Sequence, residues 1–208
     1  VGAPAAEPAE RLIFLADLVM RWRKQLDVAI TPAAPESHAL IAGAPSEAFG
    51  LAADLTRVLD LLTSEGVTPA QLDAATPGEH DRYWDISRRF LAIATQAWPL
   101  YLDARGLSDH VARRDRVLRE RARQISEGRV GGLFIAAGST GTNPATAELI
   151  AAIARHPRGA VVLPGLDLIS SDASFASVSD EAEPHPGHPQ AALAHLMKTL
   201  AAARDDVK

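Results

Sequence analysis

A chain of 208 residues, 47% of them apolar, can bury one substantial core or two small ones, which excludes disorder as a description of the whole. With no cysteine, disulfides, thiolate metal sites and cysteine nucleophiles are excluded within these residues. A formal net charge of -5 argues against a general nucleic-acid-coating role, and the longest apolar runs fall well short of the roughly 18 residues of a membrane helix, so no membrane partner and a cytoplasmic setting are expected.

Residues 1–8 are rich in Ala, Pro and Glu and read as a flexible lead-in. From Ala9, the side chains of Leu12, Leu15, Ala16, Val19, Trp22 and Leu26 fall on one face at helical spacing, with Arg11, Asp17, Arg21 and Lys24 elsewhere. This predicts an amphipathic helix of about five turns with Trp22 in the core. Pro32 and Pro35 break it, and a second helix follows through Ala48, Leu51, Ala52, Leu55, Val58, Leu59 and Leu62 to Glu65-Gly66. Thr68-Pro69 opens a short capped helix and Thr76-Pro77 the start of the next. A long helix carries Trp84, Phe90, Leu91, Ile93, Ala94, Ala97 and Trp98, interrupted or kinked at Pro99 and closing near Arg105-Gly106. Ser108 is expected to cap a last helix to about Ser126. Without an internal repeat, residues 9–128 read as a helical subdomain.

From residue 129 the pattern changes. Gly131 to Ala137 is a short apolar run, Gly138 to Thr142 a small-residue loop, Ala145 to His156 a helix capped by Asn143 with Pro144 in its first turn, and Ala160 to Leu163 a second apolar run. This is a βαβ unit, and the fold class expected for the chain is a strongly α-rich α/β arrangement. Residues 170–187 read as a long loop, residues 189–203 as a final helix and residues 204–208 as a fraying end.

Loops at the carboxyl ends of parallel strands are where such folds place ligands, so the chemistry is sought there. Gly138-Ser139-Thr140-Gly141-Thr142 before a helix amino terminus suggests a phosphate cradle, but a nucleotide-binding loop of that kind needs a lysine, and the lysines are Lys24, Lys198 and Lys208. A tight structural turn is the alternative. Ala137-Gly138-Ser139-Thr140-Gly141 also resembles a nucleophile elbow, with Ser139, then Asp167, then His185 or His188 in hydrolase order, although the helical residues upstream do not supply the broad sheet of that fold. His185, His188 and His195 lack companion ligands for zinc, and no metal or cofactor is expected. Arg113, Arg114, Arg116, Arg119, Arg121 and Arg123 form the basic run of the chain, wrapped around a helix whose apolar stripe is Val111, Leu118, Ala122 and Ile125 and interleaved with Asp115 and Glu120. A solvated face is the ordinary reading; Arg113, Arg116, Arg119 and Arg123 are the candidates for contact with a DNA backbone.

Three stretches carry a family resemblance: Ile135 to Gly141, Pro144 to Ala154, and Gly159 to Asp167, supported by Leu59 to Val67, Trp84 to Trp98 and His188-Pro189-Gln190. Together they resemble the AddB-subunit family of bacterial AddAB helicase-nucleases in its alphaproteobacterial form, over roughly residues 10–200. The resemblance implies an internal segment of the amino-terminal, helicase-like half of a longer subunit, a reading that the valine at position 1 also favours. It further implies that residues 129–208 are a partial RecA-like region, that the function is non-catalytic scaffolding and DNA-channel formation during single-strand scanning in recombinational repair, and that the partners are an AddA-type motor subunit and DNA. Ala137 to Gly141 then become a degenerate nucleotide-site loop, because an active helicase would end that strand in an Asp-Glu pair for magnesium and water and this chain has Ala136-Ala137-Gly138-Ser139. The last helix departs from the family, with Ala191 and Ala192 in place of an aromatic and a glycine, which puts a functional use of Gln190 in question. An exposed sheet edge also leaves the segment itself open to self-association. The competing expectations are a small serine hydrolase using Ser139 and a helical protein-interaction module.

Overall fold

The computed structural model describes residues 2–29, 44–74, 82–178, 180, 185 and 187–207. They form an α-rich α/β fold, as expected, divided into two compact units, Val1–Arg113 and Arg114–Lys208. The breaks expected at Pro32-Pro35 and Thr76-Pro77 lie outside the described residues.

In the first unit, α1 (Pro8–Ala29) lies against α2 (Pro45–Glu65) and α4 (Arg82–Arg105). Leu15 and Ala16 of α1, Ala52, Leu55 and Leu59 of α2 and Ala94 of α4 make the core, flanked by Leu12, Phe14, Leu18, Phe90 and Leu91. Trp22 is only half-buried, stacked on Phe90 at 6.1 Å. The buried stripe of α2 is narrower than the periodicity predicts: Ala48, Ala52, Leu55 and Leu59 face inward, while Leu51 and Val58, displaced around the helix, are exposed. Gly66 closes α2 in the left-handed conformation, φ +68°, with Val67 N–H donating to Leu62 O at 2.9 Å. The short α3 (Pro69–Ala74) is capped as expected: Thr68 Oγ1 accepts from Gln71 N–H at 3.2 Å while Gln71 Oε1 accepts from Thr68 N–H at 2.9 Å. Of the interruption or kink expected at Pro99, an interruption does not occur, and the helix closes where expected. The helix continues to Arg105, because Trp98 and Leu102 anchor that stretch in a second apolar cluster while Pro99 itself is exposed.

Two expectations fail at the entrance to α5 (His110–Ser126). The lead-in is tied down: Ala6 N–H donates to Ser108 O at 2.9 Å, Ser108 N–H to Pro4 O at 2.8 Å, and Ala6 is buried. Ser108 therefore spends its hydroxyl on the carbonyls of Ala3 and Pro4, and the cap is Asp109, whose Oδ1 accepts from Val111 and Ala112 N–H at 2.8 and 3.1 Å.

The second unit contains β1 (Phe134–Ala137), α6 (Pro144–Arg155) and β2 (Gly159–Val162), the two strands parallel with Phe134 beside Gly159 and Ala137 beside Val162. The predicted cap holds: Asn143 Oδ1 accepts from Thr146 N–H at 3.1 Å, with Pro144 in the first turn. Ala152 and Ile153 of α6 pack with Ala122 and Ile125 of α5, and Ala147 and Ile150 pack with Leu196 of α8 (Ala191–Leu200). The region expected to be one long loop contains a short helix, α7 (Asp172–Ser177), capped by Ser171 accepting from Ser174 N–H at 3.2 Å. The carboxyl end does not fray at Arg204. Its guanidinium donates to Asp167 O at 3.1 Å, bonds Asp172 and lies 4.9 Å from the Phe175 ring centroid.

Candidate functional site

The glycine-rich loop leaves the end of β1 with Gly138 in the left-handed region, φ +73°, its N–H donating to Val162 O at 3.0 Å. Ser139 Oγ then accepts from Gly141 N–H at 3.2 Å, and the hydroxyls of Thr140 and Thr142 meet at 2.8 Å. At Gly141, φ +63°, a Cβ would stand 2.7 Å from Cδ1 of Leu196, a side chain with 0% exposure. Leu196 thus packs against Gly141 on the side a Cβ would take, and the turn needs a glycine there both for this close approach and for its positive φ. The strand end presents Ala136, Ala137, Gly138 and Ser139, with no carboxylate to hold a hard cation. Cutting the leucine back, Leu196→Ala, is expected to destabilise the second unit by about 3 kcal/mol, read as a lowered melting temperature in thermal unfolding, because both the transfer term and the residual cavity count against it.

The residues of the hydrolase expectation are not assembled. Asp167 Oδ1 accepts from the N–H groups of Ile169 and Ser170 at 2.8 and 3.1 Å, bonds that hold its carboxyl below the ordinary aspartate range. His188 Nδ1 accepts from Gln190 N–H at 3.1 Å, and Ser139 is engaged with Gly141. Among the described residues no hydrogen bond joins any two of Ser139, Asp167 and His188, whereas a nucleophile and its base must lie within hydrogen-bond reach. Gln190 has a structural use: Oε1 accepts from Asp167 N–H and Nε2 donates to Gly165 O, both at 3.0 Å, clamping the turn after β2.

The arginines of α5 divide by partner. Arg119 pairs with Glu148 at 3.1 Å, and Arg123 with Glu120 at 2.7 Å and Glu127 at 3.3 Å, so two of the four candidate backbone contacts are already neutralised. Arg113 and Arg116 are exposed, with no carboxylate partner among the described residues. Asp115, expected on the wet face, is 2% exposed and accepts from Arg114 at 2.8 Å. Arg121 lies with its guanidinium carbon 5.6 Å from the Phe134 ring centroid.

Sequence reasoning missed a polar cluster in the first unit. Arg11, expected on the solvent face of α1, is 2% exposed; its Nη1 bonds Asp60 Oδ1 and lies 3.4 Å from Asp109 Oδ2. His110 closes the group, with Nδ1 3.5 Å from that same nitrogen, and Trp98 Nε1 donates to Asp109 Oδ2 at 2.8 Å. Burial alone would raise the Asp109 carboxyl, but the Trp98 and Ala112 N–H groups, Arg11 and His110 together hold it below the ordinary range. Asp60, Asp109 and His110 each offer a ligand atom within 4.8 Å of the others, yet the guanidinium already supplies the cation among them, which does not fit a metal centre. The histidines weighed for zinc in the sequence, His185, His188 and His195, are exposed and not part of this group. The members lie 49 or more residues from Arg11, so no local spacing could have exposed them.

No family model, curated protein or solved structure significantly matches this chain. Among the described residues no helix is long and apolar enough to cross a membrane.

Proposed function

We propose that this chain is a non-catalytic scaffold and DNA-channel segment of an AddB-type helicase-nuclease subunit, acting with an AddA-type motor subunit in double-strand-break repair. The observation that supports the reading is the loop after β1: a parallel βαβ unit whose first strand ends without carboxylates, followed by a glycine-rich turn without lysine. Phosphoryl-transfer sites work by positioning and electrostatics, and a loop from Ala137 to Asn143 that contains neither lysine nor acid supplies no charged side chain of its own. The family likeness of residues 135–167 supplies the context in which a disabled nucleotide site makes sense, and the exposed arginines of α5 supply charge for a DNA backbone.

The test is calorimetric titration with magnesium-ATP alongside fluorescence anisotropy with a labelled single-stranded oligonucleotide. The expected outcome is no ATP binding, with DNA binding that weakens steeply as salt rises. Micromolar ATP affinity would overturn the non-catalytic reading, and so would stoichiometric fluorophosphonate labelling lost in Ser139→Ala. Absence of binding to any single strand would remove the DNA-channel assignment.

A further inference from the structure

The loop at the carboxyl end of β1 carries no charged side chain, and the amino end of the same strands carries a different set of groups. Phe134 opens β1, its N–H donating to Arg158 O at 3.0 Å, so Arg158 is adjacent to it in space. The His156 ring meets Phe134 edge-on at 5.0 Å and is fixed by Nδ1 accepting from Arg158 N–H at 3.1 Å, which leaves the proton of the neutral ring on Nε2. Over the Phe134 ring lies Arg121 of α5, 5.6 Å from its centroid. Arg114, Arg119, Arg123 and Arg129 are each satisfied by a carboxylate. Arg121 instead has one long bond to the neutral Gln124, at 3.4 Å, and no acid partner among the described residues; the exposed Arg158 has none either.

An unneutralised guanidinium backed by an aromatic ring, with an oriented imidazole and the backbone of a second exposed arginine adjoining that ring, combines what sequence-tolerant recognition of single strands uses: flat cationic surfaces on which bases stack, and positive charge for the phosphate. Duplex DNA hides its base faces and would gain only the charge term. From this we infer that the amino edge of the sheet holds a nucleotide of single-stranded nucleic acid, its base stacked on the outer face of Arg121 and its phosphate drawn to Arg121 and Arg158. The inference rests on the DNA-channel reading and assigns to it a site that the α5 candidates Arg113, Arg116, Arg119 and Arg123 do not include.

The experiment is anisotropy titration of the 208-residue chain with a fluorescein-labelled oligothymidylate over a salt series, with thermal unfolding run on each variant. Arg121 is exposed, so Arg121→Ala is expected to melt like the parent. Arg121→Ala combined with Arg158→Ala is expected to weaken binding by about tenfold or more and to reduce the slope of log K against log salt by about 1 to 2. Arg121→Lys keeps the charge and removes the stacking plane, so it is expected to weaken binding while leaving the slope unchanged. Arg57→Ala, at an exposed residue paired with Asp54, serves as the control and is expected to bind as the parent does. If the parent binds with salt dependence and the double variant binds equally well, the nucleotide site lies elsewhere and the inference falls while the DNA-channel reading stands. If the parent does not bind, both fall.

Discussion

Gly159→Ala is expected to be the most damaging small substitution in the second unit, destabilising it by about 4 kcal/mol. The methyl group would lie 1.8 Å from the carbonyl oxygen of Ile153, 2.9 Å from its carbonyl carbon and 3.1 Å from His156 O, all backbone atoms. A flexible side chain could turn away, but a helix end cannot. Relief requires α6 to shift off the first residue of β2, which disturbs both the Phe134 to Gly159 register and the packing of Ile153 on Ala122 and Ile125. Ordinary overpacking costs about 1–3 kcal/mol, and a clash against fixed backbone belongs at the upper end or beyond it. For a unit of this size the loss corresponds to a fall in melting temperature of about 15 °C or more. Gly131→Ala is the matched control, since a Cβ there meets nothing within 4 Å. Calorimetric melting of the two variants decides the matter, and equal melting temperatures would refute the account.

In the first unit the largest effect is expected from Arg11. Arg11→Met leaves Asp109 buried and Asp60 half-buried without their cation, which is expected to cost about 3 kcal/mol, the low end of the range for breaking a buried pair because Asp60 retains access to water. Asp109→Asn removes the charge while keeping the volume, and it too should destabilise, by loss of the charged α5 cap and of the Arg11 and Trp98 contacts. The double variant Arg11→Met, Asp109→Asn is expected to be more stable than the sum of the single changes predicts, because the two groups stabilise each other. The pH dependence has a definite sign. The folded carboxyl of Asp109 lies below the unfolded value of about 3.9, so its contribution is fully present above that value and is lost as pH falls through the folded one. Denaturant titrations from pH 7 downward should show a steeper acid-side loss in the parent than in Asp109→Asn; parallel curves would mean that Asp109 contributes no such term.

What could be read from the sequence follows from the range over which each signal acts. The helices, the Asn143 cap, the glycine stop at Gly66 and the parallel βαβ unit rest on patterns of a few residues and are present as expected. Features decided by partners distant in the chain were not readable. Arg11 looks like one more polar residue on an amphipathic helix until Asp60 and Asp109 arrive beside it. Ser108 looks like a cap until Pro4 and Ala6 claim its backbone. Pro99 looks like a break because its propensity is local, while the anchoring of Trp98 and Leu102 is not. At the candidate site the absence of lysine and acid was visible directly, but the leucine beneath Gly141 comes from α8 and could be found only in three dimensions.

Arg204 joins the carbonyl of Asp167, the hydroxyl of Ser170 and the carboxylate of Asp172 through one guanidinium stacked on Phe175. Because the same Asp167 also accepts the amides of Ile169 and Ser170, the turn after β2, the short helix α7 and the last turn of the chain share their bonds. One guanidinium thus ties together three segments separated in sequence, so Arg204→Ala is expected to loosen the turn after β2, α7 and residues 204–206 together, read as faster amide exchange in all three.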